Sequence, residues 1–232
     1  MPKLSEKIQY SQTDSIVEDI PALVEGVRKI TGSPPRFYVT HSWGGVLLNS
    51  YFARFSDQVH VTQAVVNVGT KRRVMAQNLE VSLKVKLGWN ILAPVLGRVF
   101  GYLPGRQLKF GSDDDGALWQ RQSVEWVKPL PWVDPEDGFD YGEACKKVSL
   151  PPTLYLAAER DYSLGHKDDV RRFMEESHPS GKNCELRLLS KKTGNLHDSD
   201  HINMLVHRDC SGDHFTSLVL PWLRSSHSGQ PR

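Results

Sequence analysis

The 232-residue sequence predicts an α/β fold, a mostly parallel sheet flanked by helices, with a helical insertion over one edge. Three observations predict it. A helix, a short strand, a tight turn and a second helix follow one another within residues 14–55. Strand and helix patterns alternate again across residues 151–223, as parallel pairing requires. Between these stretches, residues 70–150 carry Pro, Trp and Gly throughout and show helical periodicity.

The first helix is read from Ile16, Val17, Ile20, Leu23, Val24, Val27 and Ile30, which share one face. Asp14 or Asp19 can cap it and Gly32 can stop it; Pro21 fits the first turn if Asp19 is the cap. After Gly32-Ser33-Pro34-Pro35 comes a strand, Arg36 to Thr40, then a helix, Gly44 to Phe55, with Val46, Leu47, Tyr51 and Phe52 inward. Valine-rich Val61 to Val68 is the second strand, ended by Gly69. Pro151-Pro152 introduces the third, Thr153 to Ala158, and Glu185 to Leu189 is the fourth. Helices are expected at Lys167 to Glu176 and Asp213 to Leu223, with further helical pieces at Val81 to Phe100 and Ala117 to Val127. The division that follows is a core of residues 1–69 and 151–232, interrupted by a cap at 70–150.

Charge and composition narrow the function. Lys and Arg number 29 against 27 Asp and Glu, so no global field favours nucleic acid. The short run Lys71-Arg72-Arg73 reads as a solvated loop. Cys145, Cys184 and Cys210 form neither a disulfide framework nor a zinc cluster, which suits a reducing, cytoplasmic setting. Met1 to Tyr10 is polar, no apolar run reaches membrane-spanning length, and Ser225 to Arg232 is a polar tail. No Gly-rich phosphate loop or dinucleotide fingerprint occurs, so no cofactor and no metal are expected.

Chemistry concentrates at Thr40-His41-Ser42-Trp43-Gly44-Gly45, which places a serine on a strand-to-helix turn. A serine hydroxyl becomes nucleophilic only when a base takes its proton, and a tight turn leaves its oxygen open to base and substrate together. Gly44 and Gly45 allow close packing, and the Trp43 backbone N–H at the helix start can stabilise an oxyanion. His41 is placed on the opposite side of the strand from Ser42, as a packing residue.

This segment resembles the GxSxG nucleophile elbow of the α/β-hydrolase superfamily, with Thr40 in place of the first glycine. The resemblance implies an acid and a base in the chain order Ser, Asp, His. Leu154 to Ala158 runs into Glu159-Arg160-Asp161-Tyr162, similar to the family's acid turn, which implies Asp161 as the acid and Glu159 as its substitute. Taken alone, such an aspartate is also a common turn cap. Beyond the last strand, the loop Ser190 to Asp200 leads to His201, the implied base, with His197 as the weaker alternative. His197 and His201 also form an HxxxH pair, without the further ligands a metal needs. The implied activity is hydrolysis of a carboxylic ester or related acyl substrate.

Two further expectations concern the insertion and the sheet. Leu87 to Phe100 and Leu103 to Gly111, with Trp119, Trp126 and Trp132, can wall an acyl pocket, most of the aromatics serving as lid core; its substrate contacts are not assigned. Ser42 follows only one helix and one strand, so the N-terminal strands of the family fold are expected to be absent. That leaves the second oxyanion donor unassigned and the edge of Arg36 to Thr40 open to a partner chain. An inactive, binding-only relative or a truncated isoform is the competing expectation.

Overall fold

The computed structural model describes residues 10–108 and 113–227. Expectations for Met1 to Gln9, for Lys109 to Gly111 of the pocket wall and for Ser228 to Arg232 lie outside the described residues.

Among the described residues four strands form one sheet: β1 (Phe37–His41), β2 (Ala64–Val68), β5 (Thr153–Ala158) and β6 (Cys184–Leu189), in the order β1-β2-β5-β6. Every pairing is parallel, with His41 opposite Val68 and Ala158 opposite Leu189. Two-residue strands β3 (Tyr102–Leu103) and β4 (Asp115–Gly116) form a separate antiparallel ribbon within the insertion.

Helix α1 spans residues 12–31, with a π-helical stretch at Ser15–Asp19. Its cap is Ser11 rather than Asp14 or Asp19. The Ser11 hydroxyl accepts from the Asp14 N–H at 3.0 Å and the Asp14 carboxylate accepts from the Ser11 N–H at 2.8 Å, a reciprocal capping box. Pro21 therefore falls inside the helix. The predicted apolar face is buried at Ile16 only; Val17, Ile20 and Val24 pack partly on the core, while Leu23 and Ile30 are 69% and 87% exposed. The physical reason is position, since α1 leads into β1, the outermost of the described strands.

Helix α2 (Trp43–Arg54) follows β1, and the one-turn helix α3 (Asp57–Val61) takes the start of the predicted second strand, which begins at Ala64. In the insertion, α4 covers residues 79–100, π-helical over Ser82–Leu92, and α5 is Ala117–Trp126. Helices α6 (Tyr141–Lys147), α7 (Lys167–Ser177), the short α8 (Asn203–Val206) and α9 (residues 211–227) follow among the described residues.

The sheet separates two cores. On one face, Val46, Phe52, Val65, Tyr155, Val170 and Phe173 pack with Trp126, Trp132 and Tyr141 of the insertion. On the other, Val66, Val68, Leu154 and Leu156 pack against Met204, Val219 and Trp222. Trp126 and Trp132 are thus core, stacked edge-on with ring centroids 6.4 Å apart.

Candidate active site

Strand β1 delivers its last side chains to the C-terminal end of the parallel sheet, the end where α/β sheets place ligands. There Ser42 leaves extended geometry with φ 54° and ψ −124°, a left-handed conformation that costs a non-glycine residue on the order of 1–3 kcal/mol. The Ser42 N–H donates to the Val68 carbonyl at 2.8 Å, tying the strained residue to β2. As the first residue of α2, Trp43 has an N–H with no intrahelical acceptor.

The three sequence-predicted residues come together. Ser42 Oγ lies 2.9 Å from His201 Nε2, and His201 Nδ1 lies 2.6 Å from Asp161 Oδ2. Asp161 and His201 are 4% and 7% exposed, whereas Ser42 is half-buried and accessible. This pattern fits one tautomer, in which Nδ1–H donates to Asp161 and Nε2 accepts from the serine hydroxyl. Burial pushes the Asp161 carboxyl up, but hydrogen bonds from His201, Gly165 and Leu164 outweigh it and hold the carboxyl below its ordinary value. The close packing extends to glycines: a Cβ on Gly165 would stand 2.6 Å from Asp161 Oδ2, and one on Gly69 3.0 Å from the His201 ring.

His197 lies apart from this arrangement, bonded through Nε2 to Asp209 at 2.9 Å. Both His201 nitrogens are engaged by Asp161 and Ser42, so the HxxxH pair does not converge on one ion. Glu159 is also elsewhere, 3.7 Å from Lys167.

Thr40 explains the departure from glycine at the head of the elbow. Its hydroxyl donates to Asn67 Oδ1 at 2.6 Å, and Asn67 donates onward to Asn49 Oδ1 at 3.3 Å. Asn49 in turn donates to the Tyr155 hydroxyl at 2.9 Å and to Ser177 at 3.1 Å. The elbow thus sits on a buried polar chain that crosses the sheet.

Two expectations are corrected here. His41 faces the site: its Nε2–H donates to the His201 carbonyl at 3.0 Å, and the two rings lie 4.6 Å apart. The alternation rule fails because Ser42 is no longer extended. Burial and the neighbouring His201 hold the His41 imidazole below its ordinary value. The run Lys71-Arg72-Arg73 is not a solvated loop either, since Lys71 is 9% exposed and Arg72 fully buried. Arg72 has partners, Glu176 at 2.6 Å and the carbonyls of Trp126 and Leu130. Burial pushes the Lys71 ammonium down to about 8, with Asp169 and Asp161 opposing, and its Nζ stands 6.0 Å from the Trp43 ring centroid. The signal for Lys71 was its place just past β2, at the sheet end that also carries Ser42.

The insertion is fastened to this site. Asn78, which caps α4, donates to the Tyr162 carbonyl at 2.7 Å, and Ser163 donates to Glu80 at 2.8 Å, both in the loop after Asp161. Trp43 Nε1 donates to Gln12 Oε1 at 2.6 Å, and Gln12 Nε2 donates to the Trp119 carbonyl at 3.3 Å, linking elbow, first helix and insertion. A cleft of about 370 Å³ between α4 and α5 is lined by Asn90, Pro94, Gly97, Arg98 and Gln120 and does not include Ser42. Leu83, Leu87, Ile91 and Val95 on α4 are instead exposed by 46–55%.

No protein-family model and no curated protein sequence matches the chain. Solved structures do. The α/β hydrolase GrgF from Penicillium sp. superposes with a TM-score of 0.55 at 13% identity, over 94% of this chain and 73% of its own. A bacterial membrane phospholipase A superposes with a TM-score of 0.52 at 19% identity, over 95% of this chain and 66% of its own. The esterase domain of a Rhodothermus marinus protein gives 0.50 at 13% identity, over 91% and 70%. With its parallel sheet, its strand order and these neighbours, the chain has the α/β-hydrolase fold.

Proposed function

We propose that the protein is a serine hydrolase that cleaves a carboxylic ester or related acyl substrate through an acyl-enzyme. One observation carries this reading: Ser42, His201 and Asp161 form a continuous hydrogen-bonded chain of 2.9 and 2.6 Å that ends on a half-buried, strained turn. His201 takes the proton of Ser42 Oγ as the serine attacks the acyl carbon, and Asp161 stabilises the imidazolium. Collapse of the tetrahedral intermediate breaks the bond to the leaving group, which receives that proton. Water, deprotonated by His201, then releases the acid and restores Ser42. The Trp43 N–H supplies one donor for the oxyanion. Names of the neighbouring structures, an esterase domain and a phospholipase A among them, agree with acyl-ester chemistry.

Residues 70–150 act in this proposal as a lid over a core of residues 1–69 and 151–232, since α4 is pinned to the Asp161 loop by Asn78 and Glu80. Among the described residues no helix is long and apolar enough to cross a membrane. Cys145, Cys184 and Cys210 are free thiols, in keeping with a reducing, cytoplasmic setting.

A fluorophosphonate probe tests the reading. It should phosphonylate Ser42, located by peptide mass spectrometry, and labelling should vanish in Ser42→Ala. Folded protein that takes up no probe would instead support a hydrolase-like binding protein, a reading favoured by the single assignable oxyanion donor.

A further inference from the structure

Three side chains outside the triad converge on the segment that carries His201. His197 precedes His201 in the loop before α8, and His207 and Asp209 follow that helix. Asp209 Oδ2 lies 2.9 Å from His197 Nε2 and 3.7 Å from His207 Nδ1, and the two imidazole centroids are 4.3 Å apart. One ligand atom from each residue lies within 4.8 Å of the other two, and all three residues are half-buried. Bonds of roughly 2.0–2.1 Å to a tetrahedral zinc ion put neighbouring ligand atoms about 3.3 Å apart, a value the two observed separations bracket.

We propose that His197, His207 and Asp209 form a binding site for a divalent zinc ion, leaving a fourth position for water. The donor set suits zinc, which accepts imidazole nitrogen together with carboxylate oxygen. The His197–Asp209 hydrogen bond alone would not explain why His207 also turns toward the same carboxylate. Other contacts to the group are weak: the Asp209 N–H donates to His207 Nδ1 at 3.3 Å, and Arg208 Nε lies 3.7 Å from Asp209 Oδ1. Metal binding would replace the first of these with a coordinate bond. The ion would close residues 197–209 into a loop with His201 inside it, restraining the segment that presents this histidine to Ser42. This inference does not depend on Ser42 being a nucleophile.

The test uses full-length protein stripped with a chelator and titrated with zinc sulfate by calorimetry. One equivalent should bind, and His207→Gln and Asp209→Asn should each weaken binding at least about tenfold, while His60→Gln should not. Zinc at about 100 times its dissociation constant should raise the folded-to-unfolded ratio about 100-fold and slow amide exchange across residues 197–209. Cobalt(II) substituted for zinc should give the visible bands of a four-coordinate ion, a readout on the native chain should a variant fail to fold. Absence of stoichiometric uptake, or uptake that survives both ligand substitutions unchanged, would overturn the proposal.

Discussion

Asp161 illustrates how a single residue joins stability to chemistry. It is buried and charged, and the bonds from His201, Leu164 and Gly165 keep it so. In the proposed mechanism Asp161→Asn leaves the shape intact but imposes the wrong imidazole tautomer. The turnover number for an activated ester should then fall on the order of 10⁴-fold, with far smaller change in KM. His178 supplies the pH dependence of stability. It is 4% exposed beneath β5, with Tyr155 at 3.4 Å, and burial holds its pKa at about 4 against an ordinary 6.5. Between about pH 6.5 and 4 the unfolded chain therefore binds a proton that the folded chain refuses. This contribution is complete above pH ~6.5 and is lost as the pH falls toward 4, by on the order of 3 kcal/mol. Urea midpoints measured across that window should decline in the native protein, and the decline should be shallower in His178→Gln.

At the scale of elements, the elbow depends on how closely α2 can approach β2. A Cβ on Gly45 would meet Thr70 Oγ1 at 2.4 Å and Thr40 Oγ1 at 2.8 Å, whereas one on Gly44 would meet nothing within 4 Å. Gly45→Ala should therefore cost about 1–3 kcal/mol, while Gly44→Ala should be neutral or gain up to ~1 kcal/mol from helix propensity. Thermal denaturation of the pair decides this, and equal melting temperatures would contradict the packing argument. Elements of this kind were readable in advance because local rules govern them. Valine-rich β2, the Pro-flanked β5 and the amphipathic α7 all lie within a few residues of their expected bounds. Ser42 just after β1, Asp161 just after β5 and His201 in the long loop after β6 were named in advance by the family resemblance and its chain order. What could not be read needed three dimensions. Lys71 and Arg72 look solvated in a polar run, and they are buried by residues distant in sequence, Trp43 beside Lys71 and, around Arg72, Glu176 of α7 with the carbonyls of Trp126 and Leu130. His41 is misplaced by alternation because the irregular backbone at Ser42 is invisible to a period-of-two argument. Likewise, the face of α1 is genuinely amphipathic, yet Leu23 and Ile30 on its outer half stay exposed, with no element among the described residues covering them.

Among the described residues, the sheet ends in two unlike strands. Strand β6 ends the sheet with Glu185 and Arg187, an ion pair, and Trp222 Nε1 donates to Glu185 from α9 at 3.1 Å. Charges at an edge deter pairing with other chains, and α9 covers part of this one. Strand β1 ends the opposite side with Phe37 and Val39, 41% and 52% exposed, near a helix whose Leu23 and Ile30 also face solvent. We expect this exposed apolar surface, centred on Val39, to be a route of self-association. Light scattering should rise steeply with protein concentration, and Val39→Lys, which puts a charge on the exposed face of this strand, should suppress the rise. Arg187→Lys on the other edge keeps the charge and should leave scattering unchanged. If Val39→Lys scatters as the native chain does, the apolar edge is not the surface that associates, and the exposed stripe of α4 becomes the surface to mutate next.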